Sequence, residues 1–183
     1  MSSAKIQSWT VTLEPLTSAA FAPFGDVAAR PAGARRRYLP TALDLAEEAR
    51  TMSLWISAVA APAHLPLQLI ALERHPFSAQ SFIPLDAGRY LAIVCEADSA
   101  SRPNLNTLRA FVADQHQAVT YARNVWHHPL TVIDQAMAFA IAMGTTGRED
   151  DDVWHTLDTG VTVVMPPAPT ALPGHVGPLS DPI

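Results

Sequence analysis

The apolar runs in this sequence are short, and each is bounded within a few residues by proline, glycine, asparagine or aspartate. Ser53–Val59, Leu67–Leu72, Ser81–Leu85, Tyr90–Cys95, Ala118–Tyr121, Thr131–Ile133, Phe139–Met143 and Val161–Met165 read as strands. Many short strands with regular turn signals predict a sandwich or barrel. Helix signals are few. Thr17–Phe24 predicts a short helix stopped near Gly25, and Leu43–Arg50 is helical by composition. Asn104–Val112 predicts the clearest helix: Pro103 precedes it, Asn104 can cap it, and Leu105, Leu108 and Val112 share a face. Six of the 16 prolines fall in Pro166–Ile183. They predict an irregular tail at 166–183, after a single domain over residues 1–165.

Composition removes several classes of function. The 183 residues are 49% hydrophobic and 16% charged, which suits one globular core. The net charge is −5 and the one basic run is Arg35-Arg36-Arg37, so no nucleic-acid partner is expected. No apolar run is long enough to span a bilayer, so no membrane partner is expected either. The only lysine, Lys5, lies at the terminus, which argues against Schiff-base chemistry. Cys95 is alone and reads as a small buried hydrophobe; with no export signal at the start, a cytoplasmic protein is expected. No glycine-rich phosphate loop, Gly-x-Ser-x-Gly elbow or Cys-x-x-Cys pair occurs.

Histidine in two segments remains. In Leu72-Glu73-Arg74-His75-Pro76, an extended backbone puts Glu73 and His75 on one side. A tight turn over Pro76–Ala79 would bring Gln80 inward at the start of the next strand. In Trp126-His127-His128-Pro129, successive side chains alternate, so one histidine faces in and the other out. Glu73, His75, Gln80 and His127 form a candidate metal set whose carboxylate and imidazoles suit nickel, zinc, iron or manganese. Their spacing resembles the cupin pattern, with Glu73 where the first histidine stands and Gln80 where the glutamate stands. Glu149-Asp150-Asp151-Asp152 is a charged loop without the spacing of an EF-hand. His175, in the tail, is given no role.

The same segments resemble the ureidoglycolate lyase (ureidoglycolate hydrolase) family. The matching stretches are Leu72–Pro76, Gln80–Leu85, Pro103–Phe111 and Tyr121–Leu130, with a weaker match over Leu16–Val27. Asn124-Val125-Trp126-His127-His128-Pro129 is the most specific of them. The resemblance implies a mainly β, cupin-like (RmlC-like jelly-roll) barrel with a few short helices, usually a homodimer. It implies cleavage of (S)-ureidoglycolate to glyoxylate and urea in allantoin and purine breakdown, with nickel or zinc as a possible cofactor. Catalysis would fall to His75, His127, Glu73 and Gln80. The substrate carboxylate would be gripped by Arg74, Arg109 or Arg123, with His128 as a further contact. The chain departs from the family at Met143-Gly144, where an Asp-Arg pair is usual; Asp134 or Asp150 could stand in if the fold brings them near. Alternative readings are a non-catalytic cupin that binds a small carboxylate, or another cupin enzyme acting on a small acid.

Overall fold

The computed structural model describes residues 8–167 except 32 and 34. Lys5, His175 and the proline-rich stretch beyond 167 lie outside the described residues. The chain runs β1 (Ser8–Pro15), α1 (Ser18–Phe21), β2 (Gly25–Ala29), β3 (Thr51–Val59), β4 (Leu67–Arg74), β5 (Gln80–Pro84) and β6 (Arg89–Cys95). It continues through a 3-10 turn at Leu105–Thr107 to β7 (Arg109–Asp114), β8 (Gln117–Tyr121), β9 (Trp126–His127), β10 (Thr131–Val132), β11 (Met137–Thr145) and β12 (Val153–Val164).

The first sheet runs β10-β6-β7-β1-β12-β4-β9, and β9 pairs back onto β6. That pairing closes the sheet into a barrel. Alternate side chains of its strands fill the closed ring, among them Leu69, Leu72, Leu91, Ile93, Trp126 and Val161. Their neighbours along the same strands, such as Tyr90, Val94 and Phe111, face the other way. They pack against a second sheet, ordered β2-β8-β5-β11-β3, which supplies Phe82, Val119, Tyr121, Phe139 and Ile141. Two cores on opposite faces of β6 explain why that strand reads as a continuous apolar run. Burying each large apolar side chain contributes about 1.5–3 kcal/mol, so β6 anchors both halves.

The expected mainly β barrel is what forms, and four of the expectations on local structure change. Asn104–Val112 is a single 3-10 turn followed by β7. Its apolar residues can sit on a helix face, but pairing with β6 and β1 on either side buries Ala110 and Phe111 in separate cores, and tertiary pairing outweighs local preference. Leu43–Arg50 makes turns and a bridge from Leu45 to Ser78. The helix expected over Thr17–Phe24 shortens to one turn, capped by the Thr17 hydroxyl. It ends at Phe21, and a turn leads to Gly25 at the start of β2, whose φ of +142° and missing Cβ let the chain pass the Thr120 carbonyl; a Cβ there would clash with that oxygen. Strands β1, β2 and β9, and the first half of β12, were not expected. The early part of β12 mixes polar and apolar residues and carries a bulge between Thr156 and Val161, which hides its period.

Candidate functional site

The site forms where the barrel wall meets the second sheet. β4 and β9 pair through Glu73 and His127, which places those side chains side by side on one face. Trp126, one residue earlier, points into the ring with the apolar core. His75 follows β4 directly, and its ring centroid lies 5.1 Å from that of His127. The chain then crosses to the second sheet over residues 76–79, so Gln80 opens β5 facing back at His75. The His75 Nε2 and Gln80 Oε1 atoms are 2.9 Å apart. Tyr121 stacks on His127 with centroids 4.3 Å apart. His75, Gln80 and His127 are all buried, and Glu73 is nearly so.

Hydrogen bonding fixes the ring proton of His127. Nδ1 of His127 lies 3.0 Å from the Val125 carbonyl, which can only accept, so Nδ1 carries the proton. Nε2 is left as a lone pair, buried and without a hydrogen-bond partner among the described residues, facing Glu73 Oε1 at 3.7 Å. Nδ1 of His75 likewise meets only acceptors, the Asp151 carbonyl at 3.2 Å and the Asp152 carboxylate at 2.9 Å.

Burial then decides the charges. It pushes the Glu73 carboxyl up to about 7, helped by the negative charge of Asp152. It pushes His127 down to about 3, helped by the neighbouring His75 and opposed by the bond to Val125. Near neutral pH His127 is uncharged, so its contact with Glu73 is not an ion pair. Burial also raises the Tyr121 hydroxyl, which stays protonated.

One donor atom each from Glu73, His75 and His127 lies within 4.8 Å of the others. An orphaned imidazole lone pair, a second imidazole and a carboxylate fit a divalent cation. Gln80 borders the set, as its spacing predicts.

The arginines go elsewhere. Arg109 is bound to Glu14 at 2.6 and 2.9 Å and to the Ala20 carbonyl at 2.7 Å, over the ring of Phe111. It ties β7 to β1 and α1 instead of gripping a ligand. Arg123 pairs with Asp44 at the surface. Arg74 points to the opposite face from Glu73, where it bonds Asn124 and lies over Trp126. His128 bonds Thr131 and the Pro129 carbonyl, outside the cluster. Asp134 is paired with Arg89, and Asp150 with Thr146 and Arg148.

Met143, at the departure from the family pattern, lies against Gln80, with its sulfur 3.5 Å from the amide nitrogen. At Gly144 a Cβ would come within 2.5 Å of Leu45, because the 41–49 segment packs over it. Tyr121 and Asp152 were missed as neighbours of the site; alternation along β8 was the available signal for Tyr121, and no local pattern singles out Asp152. Surface cavities of about 430, 270 and 450 Å³ open elsewhere, near Arg89, Arg102 and His116, and none of these is lined by the cluster.

The model of the family described as Ureidoglycolate lyase matches residues 8–164. A protein of Agrobacterium fabrum named putative ureidoglycolate lyase is 40% identical, over 84% of this chain and 94% of its own. The ureidoglycolate lyases of Brucella anthropi and Stutzerimonas stutzeri are 39% and 38% identical, over 78% and 81% of this chain and 86% and 92% of theirs. Among solved structures, RmlC from Streptococcus suis is similar at a TM-score of 0.42 and 14% identity, over 69% of this chain and 74% of that one. With its paired Glu73 and His127 inside the matched span, the chain belongs to the ureidoglycolate lyase family.

Proposed function

We propose that this protein cleaves (S)-ureidoglycolate to glyoxylate and urea, and that Glu73, His75, Gln80 and His127 carry the reaction. One observation carries the reading: the buried, unpartnered Nε2 of His127 faces Glu73 beside His75. Buried polar atoms are nearly always hydrogen-bonded, so an orphaned imidazole nitrogen beside a carboxylate and a second imidazole points to a ligand.

The substrate carbon bears a hydroxyl, a carboxylate and the ureido nitrogen. Loss of the hydroxyl proton lets the oxygen form a C=O bond as the C–N bond breaks, and the leaving nitrogen takes up a proton. The reaction needs a base, an acid and a hold on the substrate. Glu73, with a carboxyl near pH 7, exchanges protons readily at neutrality. It takes the hydroxyl proton and can return it to the departing urea nitrogen. His75 and His127 polarise the hydroxyl through their Nε2 atoms, and Gln80 hydrogen-bonds the ureido group. Glu73, His75 and His127, completed by Gln80, would hold a nickel or zinc ion, which supplies positive charge that lowers the pKa of the substrate hydroxyl. Purified protein given (S)-ureidoglycolate is expected to release glyoxylate, faster with added nickel. No glyoxylate with or without nickel sinks the reading.

A non-catalytic protein that binds a small carboxylate is the second reading. Met143 beside Gln80 favours it, since a thioether stands where a charged group could act. Glyoxylate binding by calorimetry without turnover of ureidoglycolate would select it.

We further propose a homodimer formed through the outer face of the second sheet. Met52, Leu54, Ile56 and Ile83 are exposed there, flanked by Ala140 and Ala142 on the intervening β11. A contiguous apolar face of this kind suits a second copy. Light scattering should show a dimer that Ile56→Asp dissociates; a monomeric parent protein would refute it. A reducing, cytoplasmic setting suits the single buried Cys95.

A further inference from the structure

We propose that Asp152 is the positioning residue of His75: it keeps the ring proton on Nδ1 and so leaves Nε2 as the atom turned to Gln80. The inference rests on reading Glu73, His75 and His127 as the working site.

Strand register is what brings Asp152 there. Val153, the first residue of β12, is paired with Arg74, the last of β4. One step outward, residue 152 faces residue 75 across the end of the ladder. His75 itself has left β4, so strand pairing no longer fixes its ring. The three aspartates of the preceding loop divide their work. Asp150 accepts from the Thr146 hydroxyl at 2.7 Å and from Arg148 at 2.8 Å. The Asp151 carboxylate accepts from the Thr146 amide at 2.9 Å. Both hold the loop in shape. The Asp152 carboxylate instead stands 2.9 Å from Nδ1 of His75, beside the Asp151 carbonyl at 3.2 Å.

Neither group can donate, so both favour the Nδ1–H form. A carboxylate does so more strongly than a carbonyl, because the bond is charge-assisted. It also makes the opposite nitrogen a better base or ligand. His127 is wired the same way by a neutral carbonyl, that of Val125. The two rings therefore present Nε2 to a common site, one supported by a charge and one not. With Nε2 of His75 as a lone pair, the Gln80 amide turned over donates to it from its nitrogen.

The test reads the tautomer directly. In full-length, nitrogen-15-labelled protein, a long-range proton–nitrogen spectrum distinguishes Nδ1–H from Nε2–H for each histidine. The His75 signals are assigned by their loss in His75→Gln. Wild-type His75 is expected as the Nδ1–H form. Asp152→Ala should move it toward Nε2–H or an exchanging mixture, Asp152→Glu should restore it, and the His127 pattern should stay as it is. If Asp152→Ala disturbs the His127 pattern too, Asp152→Leu, which keeps the bulk but offers no acceptor, carries the same expectation. An unchanged His75 pattern in Asp152→Ala or Asp152→Leu overturns the proposal, since the Asp151 carbonyl would then suffice. Neither readout needs turnover. A protein with the expected tautomers that releases no glyoxylate sinks the lyase reading and leaves this one standing.

Discussion

Glu73 and His127 face each other across the single β4–β9 pairing, with Oε1 and Nε2 3.7 Å apart, and burial pushes both toward their neutral forms. A histidine beside a carboxylate usually gains a proton and pairs with it. Here burial outweighs that attraction and leaves a lone pair and a near-neutral carboxyl in contact, an arrangement suited to moving a proton.

The paired histidines should be unequal. His127→Ala removes a ring of the cluster and is expected to lower kcat/KM by about 100-fold or more. His128→Ala loses bonds to Thr131 and Pro129 outside it, and is expected to cost less than about tenfold. Steady-state glyoxylate release compares them. Equal losses in both would remove His127 from its special place.

Stability of the metal-free protein should depend on pH in two opposed ways. The folded pKa of Glu73 is raised from 4.5 to about 7, so its favourable term is complete below about 4.5 and is lost as pH rises through 7. Glu73→Gln is therefore expected to be the more stable protein at pH 8, by up to roughly 3 kcal/mol, and to lose that advantage near pH 4. His127 has the opposite sign. Its folded pKa falls from 6.5 to about 3, so its term is present above about 6.5 and is lost as pH drops toward 3. Urea unfolding across pH 4–8 checks both slopes.

Arg109 is expected to hold the fold without touching the chemistry. Arg109→Ala loses the Glu14 pair, the bond to the Ala20 carbonyl and the stacking on Phe111. The ion pair is about a third exposed and contributes little by itself, so a total loss of roughly 1–2 kcal/mol is expected. The kcat/KM should stay within about twofold of wild type. A tenfold rise in KM would instead return Arg109 to the substrate.

Gly144 should reject a side chain on packing grounds. Gly144→Ala brings a Cβ within 2.5 Å of Leu45 and 3.2 Å of the Ala49 Cβ. Leu45 can swing away, so a cost of about 1 kcal/mol is expected, and Leu45→Ala in the same protein should recover part of it. Additive losses in thermal unfolding would show that the two residues do not interact.

The fold class was legible because it depends on patterns confined to a few residues. Short apolar runs with turn residues at their ends marked most strands, and β6 in particular, whose residues are buried almost throughout. The helix expected at Asn104–Val112 fails because the same residues satisfy a helical face or a strand with two buried sides, and only the presence of β6 and β1 selects the second. At the site, period-two alternation was enough to say that only one of His127 and His128 faces in, and the fold decided that it is His127.

Residue type and spacing thus made Glu73, His75, Gln80 and His127 a candidate set, and the specific run through His127-His128-Pro129 marked the family. The tertiary structure alone decided the rest. It committed Arg109 to Glu14 and Arg123 to Asp44, set Tyr121 on the face of His127, and carried Asp152 to His75 across the end of the β4–β12 ladder. The physical reason is range. Alternation and turn chemistry act between near neighbours along the chain, whereas ion pairs, burial and the proton positions they impose depend on groups that only folding brings within a few ångströms.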